Sequence, residues 1–133
     1  MTQWHLGTMG FGYKQWVGPF YPAGMTPSRF LSHYSSLFSA VEIDSTFYGT
    51  PAVTTVQRWA AVTPPHFKFA IKTPRSITHD TIFRNPQSEM LAFLDVIRHL
   101  KGKCEVILLQ FPPRTHPGAA VAGIGYFCAS PAN

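Results

Sequence analysis

A parallel α/β fold is predicted for this chain by three observations. Four short apolar runs start near residues 3, 40, 67 and 104, a repeat of 27 to 37 residues along the 133-residue sequence. The segments between these runs carry the apolar spacing of amphipathic helices. Each helical segment opens on a small polar residue followed by proline: Thr26-Pro27, Thr50-Pro51 and Asn85-Pro86. Such a pair supplies a side-chain cap and a residue preset for the first helical turn. Strands alternating with helices call for parallel pairing through right-handed crossovers. Four such units fit half of a (β/α) barrel or a small doubly wound sheet, and periodicity alone leaves both open.

The elements follow in order. Gln3 to Thr8 is the first strand, ending among Gly7, Gly10 and Gly12. An aromatic loop with Phe11, Tyr13, Trp16, Phe20 and Tyr21 comes next. The first helix is expected over Pro27–Phe38, with Phe30, Leu31, Tyr34, Leu37 and Phe38 as its apolar stripe. Ala40 to Asp44 forms the second strand. The second helix runs over Pro51–Val62 with Val53, Val56, Trp59 and Ala60 inward, and Pro64-Pro65 stops it. Phe67 to Lys72 is the third strand, its Phe67, Phe69 and Ile71 alternating with Lys68, Ala70 and Lys72. The third helix spans Pro86–Leu100 with Met90, Leu91, Leu94, Ile97 and Leu100 inward, and Gly102 ends it. Glu105 to Gln110 is the fourth strand. The stretch 114–133 breaks the rhythm: it has no charge after Arg114, no cap and no amphipathic period.

Composition narrows the function classes. Charged residues make up 13% of the chain, well below the roughly 25% of ordinary soluble domains. Lys and Arg outnumber Asp and Glu by 11 to 6, for a formal charge of +5, but the basic residues are scattered and form no nucleic-acid tail. Cys104 and Cys128 belong to no metal-ligand spacing, and Cys104 reads as a small core hydrophobe. No apolar run reaches the 18 or so residues of a membrane span. No signal peptide is visible, so the expected compartment is the cytoplasm.

Several strings together resemble the domain-of-unknown-function 72 family, also called YecE-like. They are Gly7-Thr8-Met9-Gly10-Phe11 with Tyr13 and Trp16; Gly18-Pro19-Phe20-Tyr21-Pro22; Val41-Glu42-Ile43-Asp44-Ser45-Thr46-Phe47-Tyr48; Trp59 and Thr63-Pro64-Pro65; Phe67-Lys68-Phe69-Ala70-Ile71-Lys72; Ile77-Thr78-His79; and Leu108-Leu109-Gln110-Phe111-Pro112-Pro113. The resemblance covers about residues 4 to 113. It implies a TIM-type (β/α) barrel, here partial, with about four parallel strands and three helices. It implies no particular activity. The sequence departs from the family in carrying Asp44 where Asn is usual, and in lacking a second half after Pro113. The expected organisation is therefore a half barrel over 1–113 with an atypical tail over 114–133, the mark of a truncated or frameshifted product.

In a parallel barrel the active site lies at the C-terminal strand ends. Those ends deliver Thr8, Tyr13 and Trp16; Glu42, Asp44, Thr46 and Tyr48; Lys72 with Arg75, His79 and Asp80; and Gln110. Val41 and Ile43 should meet helices, which turns Glu42 and Asp44 inward. Lys68 and Lys72 turn inward by the same alternation. Glu42, Asp44 and His79 are the candidate acid–base residues, and Tyr13, Trp16, Thr46, Tyr48, Lys72, Arg75 and Gln110 the candidate substrate contacts. No cofactor is identified, although the carboxylates suit a divalent ion. Each group also has a structural reading: Glu42 paired with Lys68 or Lys72, Asp44 to Thr46 as turn chemistry, His79 and Asp80 as a loop hydrogen bond, His33 exposed on its helix, and the aromatic loop as a core cover.

Three functions remain open. One is an enzyme half-site for a phosphorylated or polar small molecule, or a phosphoester. The second is nucleic-acid binding through a basic surface and exposed aromatics. The third is a fragment inactive alone that self-associates through open sheet edges. No membrane partner is expected.

Overall fold

The computed structural model describes residues 1–80, 87–118 and 121. Its sheet holds three parallel strands, β1 (Ala40–Ile43), β2 (Lys68–Lys72) and β3 (Cys104–Leu108), in the order β1-β2-β3. Ala40 pairs with Lys68 and Ile43 with Ile71 across the first ladder; Ala70 pairs with Val106 and Lys72 with Leu108 across the second. Each strand lies beside its predecessor, and no reversal of direction occurs among the described strands.

The expected first strand is reduced to one parallel bridge between Met9 and Glu42. Its backbone still follows β1. Ala40 donates to the Leu6 carbonyl at 3.1 Å, Glu42 to that of Thr8 at 3.0 Å, and Gly10 to that of Glu42 at 2.8 Å. The missing rung, Thr8 N–H to Ala40 C=O, is taken over by a side chain. The Tyr34 hydroxyl accepts from Thr8 N–H at 2.7 Å and donates to the Ala40 carbonyl at 3.1 Å. Gly7 permits this approach, because a Cβ there would sit 1.9 Å from the Ala40 oxygen.

Three α-helices lie on one face: α1 (Phe30–Leu37), α2 (Val53–Val62) and α3 (Gln87–Ile97). The proline starts are looser than expected. Pro27–Arg29 is a separate 3₁₀ turn, and Thr26 makes no capping bond; its hydroxyl meets that of Ser28 at 2.9 Å. Ala52, not Thr50, occupies the cap of α2. The Asn85-Pro86 start lies outside the described residues, as does most of the tail after Gly118. The C-terminal end of α3 tightens into a 3₁₀ turn, Arg98–Leu100, and closes through left-handed Lys101 and Gly102, with φ of 53° and 81°.

The core is the contact between those helices and one sheet face. Val41, Ile43, Phe67, Phe69 and Ile71 are buried against Phe30, Leu31 and Tyr34 of α1, Val56 of α2, and Met90, Phe93 and Ile97 of α3. Burying each such large apolar side chain contributes roughly 1.5–3 kcal/mol. Three expected inward positions are in fact on the surface side: Leu37, Val53 and Leu91 are 62%, 36% and 44% exposed. Phe93, three residues on from Met90, fills the place given to Leu91. His33, expected to be exposed, is half-buried with its ring edge-on to Phe20 and Tyr21.

The opposite sheet face carries Glu42, Lys68, Ala70, Lys72 and, on β3, Val106, which is 48% exposed. The alternation predicted for β1 and β2 is therefore the one observed. At the strand starts, Lys103 ties β3 to α2: its ammonium donates to the carbonyls of Ala60 and Thr63 at 2.6 and 2.7 Å and to the Thr63 hydroxyl at 3.1 Å. Carbonyls at the end of a helix lack intrahelical donors, and a lysine supplies them here.

Candidate functional site

A cavity of about 240 Å³ opens where β1 ends. Gly10, Phe11, Gly12 and Tyr13 form one wall, Ile43, Asp44 and Ser45 the floor, and Trp59 of α2 the far side. Local sequence explains the wall. Gly10 has φ of 75°, and a Cβ at this residue would stand 2.7 Å from the Tyr13 hydroxyl. With that space free, the Tyr13 hydroxyl donates to the Met9 carbonyl at 2.7 Å and the ring is held beside Trp16, centroids 4.8 Å apart. On the floor, Asp44 ends β1 and precedes a 3₁₀ turn, Ser45–Tyr48. Its carboxylate is half-buried and makes no hydrogen bond or ion pair with the described residues.

Of the residues singled out from sequence, the structure brings Tyr13 and Asp44 into this cavity. Glu42 faces the other way along β1 and lines a separate hollow of about 220 Å³ with Thr8, Met9 and Ala70. It pairs with neither lysine. Lys68 instead meets Glu105 at 2.9 Å, and the Lys72 ammonium lies over the Phe47 ring, 4.8 Å from its centroid. Thr46 is buried, its hydroxyl 2.6 Å from the Lys72 carbonyl and 3.0 Å from that of Ile43, so it fastens the end of β1 to the end of β2. Tyr48 is 83% exposed, and Gln110 lies exposed past the end of β3.

His79 and Asp80 belong to a single π-helical turn, Ser76–Asp80. His79 Nδ1 is 2.9 Å from the Thr78 hydroxyl, and its ring stands edge-on to Phe47 at 5.0 Å. Arg75 pairs with Asp80 at 3.3 Å across the turn. Phe47 thus gathers Lys72 and His79 into one cluster. Lys72 and Arg75, expected as substrate contacts, are already engaged, one on a ring and one on a carboxylate.

Trp16 belongs to the core cover. It packs with Phe20 and Tyr21, and Tyr21 stacks on Phe30 at 4.1 Å. Tyr21 is fully buried and donates to the Phe11 carbonyl at 2.5 Å; burial, aided by Tyr34, pushes its phenol up to about 12. Burial, with Glu105 beside it, likewise raises the Cys104 thiol, which keeps it protonated and unreactive. Among the described residues, no group of three or more His, Cys, Asp or Glu gathers to hold a metal ion, and no helix is long and apolar enough to cross a membrane.

The family described as "Protein of unknown function DUF72" matches residues 5–132. The chain belongs to the DUF72 family. The match runs past Pro113, where the recognisable strings end. This DUF72 chain is 30% identical over 113 residues to the UPF0759 protein YecE of Escherichia coli K12, covering 85% of itself and 39% of YecE. It is 27% identical over 116 residues to the UPF0759 protein YunF of Bacillus subtilis, of which it covers 40%. A DUF72 family crystal structure from Thermotoga maritima matches with a TM-score of 0.76 and 31% identity, over 91% of this chain and 49% of that one. One from Enterococcus faecalis matches with 0.68 and 25%, over 92% and 45%. The chain therefore spans half or less of the relatives it resembles.

Six cavity residues escaped sequence reading, Phe11 having been placed in the aromatic core cover and Ile43 against the helices. Gly10 and Gly12 looked like loose loop glycines, Ser45 like turn chemistry, and Trp59 like helix core. The available signal was adjacency: Gly10 to Gly12 follow one strand end and Ser45 the next, and parallel neighbours bring such ends together.

Proposed function

We propose that this DUF72 chain is half of a (β/α) barrel and that the cavity at the end of β1 holds a small polar molecule for acid–base chemistry. The observation that carries this reading is the position of a half-buried carboxylate, Asp44, with no partner among the described residues, lining that cavity. A carboxylate that meets no described side chain is open to a polar ligand entering the cavity. Sequential strand order supports the barrel over a doubly wound sheet, whose order reverses at a switch point. In a barrel, the face bearing Glu42, Lys68, Ala70 and Lys72 becomes the interior, and the cavity lies on the rim where barrel enzymes act.

Asp44 is the general base in this reading. Ser45 and the backbone of Gly10 to Gly12 offer hydrogen bonds to substrate hydroxyls. His79, held by Thr78 and Phe47, is a second proton carrier on the neighbouring loop. The residues of this chain supply part of such a rim. A parallel sheet is normally covered on both faces, and we infer that a second copy of this chain covers this one. The solved relatives exceed it in length by about one more chain of the same size.

Amide chemical shifts, followed while millimolar glycerol, glycerol 3-phosphate and choline are added separately, test the site. Shifts concentrated at Gly10, Gly12, Asp44 and Ser45 with any of the three are the expected result. Saturation with no shift at these amides refutes the reading.

A further inference from the structure

We propose that the cavity at the end of β1 selects a cationic ligand of the alkylammonium class. The proposal rests on the preceding reading of the cavity as a ligand site and gives its ligand a charge. Three of its lining side chains are aromatic: Phe11, Tyr13 and Trp59. The charged group that lines it is Asp44, which has no partner among the described residues. Aromatic rings attract cations through their quadrupole, and a carboxylate adds a full negative charge at short range. Together they form the kind of surround that recognises quaternary and primary ammonium groups.

Among the described residues, the neighbouring cations do not answer Asp44. Arg58, one residue before Trp59, donates to the Ser28 carbonyl at 2.7 Å and lines a different hollow. Lys72 lies on Phe47, and Arg75 holds Asp80. A phosphate in this cavity would meet the Asp44 charge with none of these in the lining. The wall is also set in advance, since the Tyr13 hydroxyl is tied to Met9 and Gly10 leaves it room. A preformed cage binds without the cost of ordering its rings.

The test compares choline with 3,3-dimethylbutan-1-ol, its neutral isostere, on the full chain and on Asp44→Asn. Binding is read by the amide shifts of Gly10 and Ser45 and by calorimetry. The expected result is choline binding at least tenfold tighter than the alcohol, with the difference lost in Asp44→Asn. The Asp44 carboxylate bonds to nothing described, so the variant keeps the fold, and the comparison of the two probes on the unaltered chain needs no variant. Equal binding of the two probes overturns the cation proposal and leaves the site standing. So does binding of glycerol 3-phosphate without choline. Absence of shifts with every probe removes the site and the cation proposal together.

Discussion

Replacing Tyr34 by phenylalanine tests how the first segment is held to the sheet. The ring is fully buried, stacked near Phe38 at 4.8 Å, and its volume is kept by the substitution. What is lost is the hydroxyl that stands between Thr8 N–H and the Ala40 carbonyl. Each backbone group left without a partner costs about 1–3 kcal/mol when buried. Thr8 and Ala40 are half-buried, so the lower end applies to each, and the sum is about 2 kcal/mol. A loss of about 2 kcal/mol in a chain of this size lowers Tm by roughly 6–12 °C. Calorimetric melting gives that shift. Amide hydrogen exchange locates it, with protection lost at Thr8 and kept along β2 and β3. A Tm unchanged within about 1 °C, with Thr8 still protected, would refute the bridging role.

Alkaline titration should find Tyr21 ionising well above the ordinary phenol range. Its phenol sits at about 12 in the fold against about 10 in the unfolded chain. Stability from this group is complete below about pH 10 and declines as pH rises towards 12, by roughly 2–3 kcal/mol in all. Phenolate absorbance against pH, with urea melts at each point, reads both, and Tyr21→Phe removes the slope; normal titration of every tyrosine in the intact fold contradicts it. Lys103→Met keeps the aliphatic stem but strips the donors from Ala60 and Thr63, lowering stability by about 1–3 kcal/mol. A urea midpoint within error of the parent would show that water replaces the ammonium without loss. If a second copy covers the open sheet face, light scattering gives a dimer that Val106→Lys converts to monomer, while a parent chain that is monomeric at high micromolar concentration rules the arrangement out.

Sequence periodicity located the strands well because burial alternates with period two and one face is fully covered. Val41, Ile43, Phe69 and Ile71 are buried, and Glu42, Lys68 and Lys72 take the other side, as their order requires. The helices were legible in place but less so in rotation. Leu91 and Phe93 are both apolar, and only the packing of α3 decides that Phe93 is buried and Leu91 is not. The first strand failed for a reason invisible to local patterning: the group that interrupts its ladder is a tyrosine 26 residues away.

The site was legible as strand ends and illegible as a constellation, and the difference lies in the loops. Glu42 and Asp44 share parity on β1, so alternation places them together. Past Ile43 the chain leaves the strand, Asp44 adopting φ of −95° and ψ of −19°, which turns it from the sheet face to the cavity. Two residues that a strand would have paired are thereby divided between two hollows. Glu42 stays on the open sheet face, and Asp44 joins the wall built by Gly10 to Tyr13. The turn after β1 thus leaves one carboxylate on the open sheet face and puts the other in the cavity.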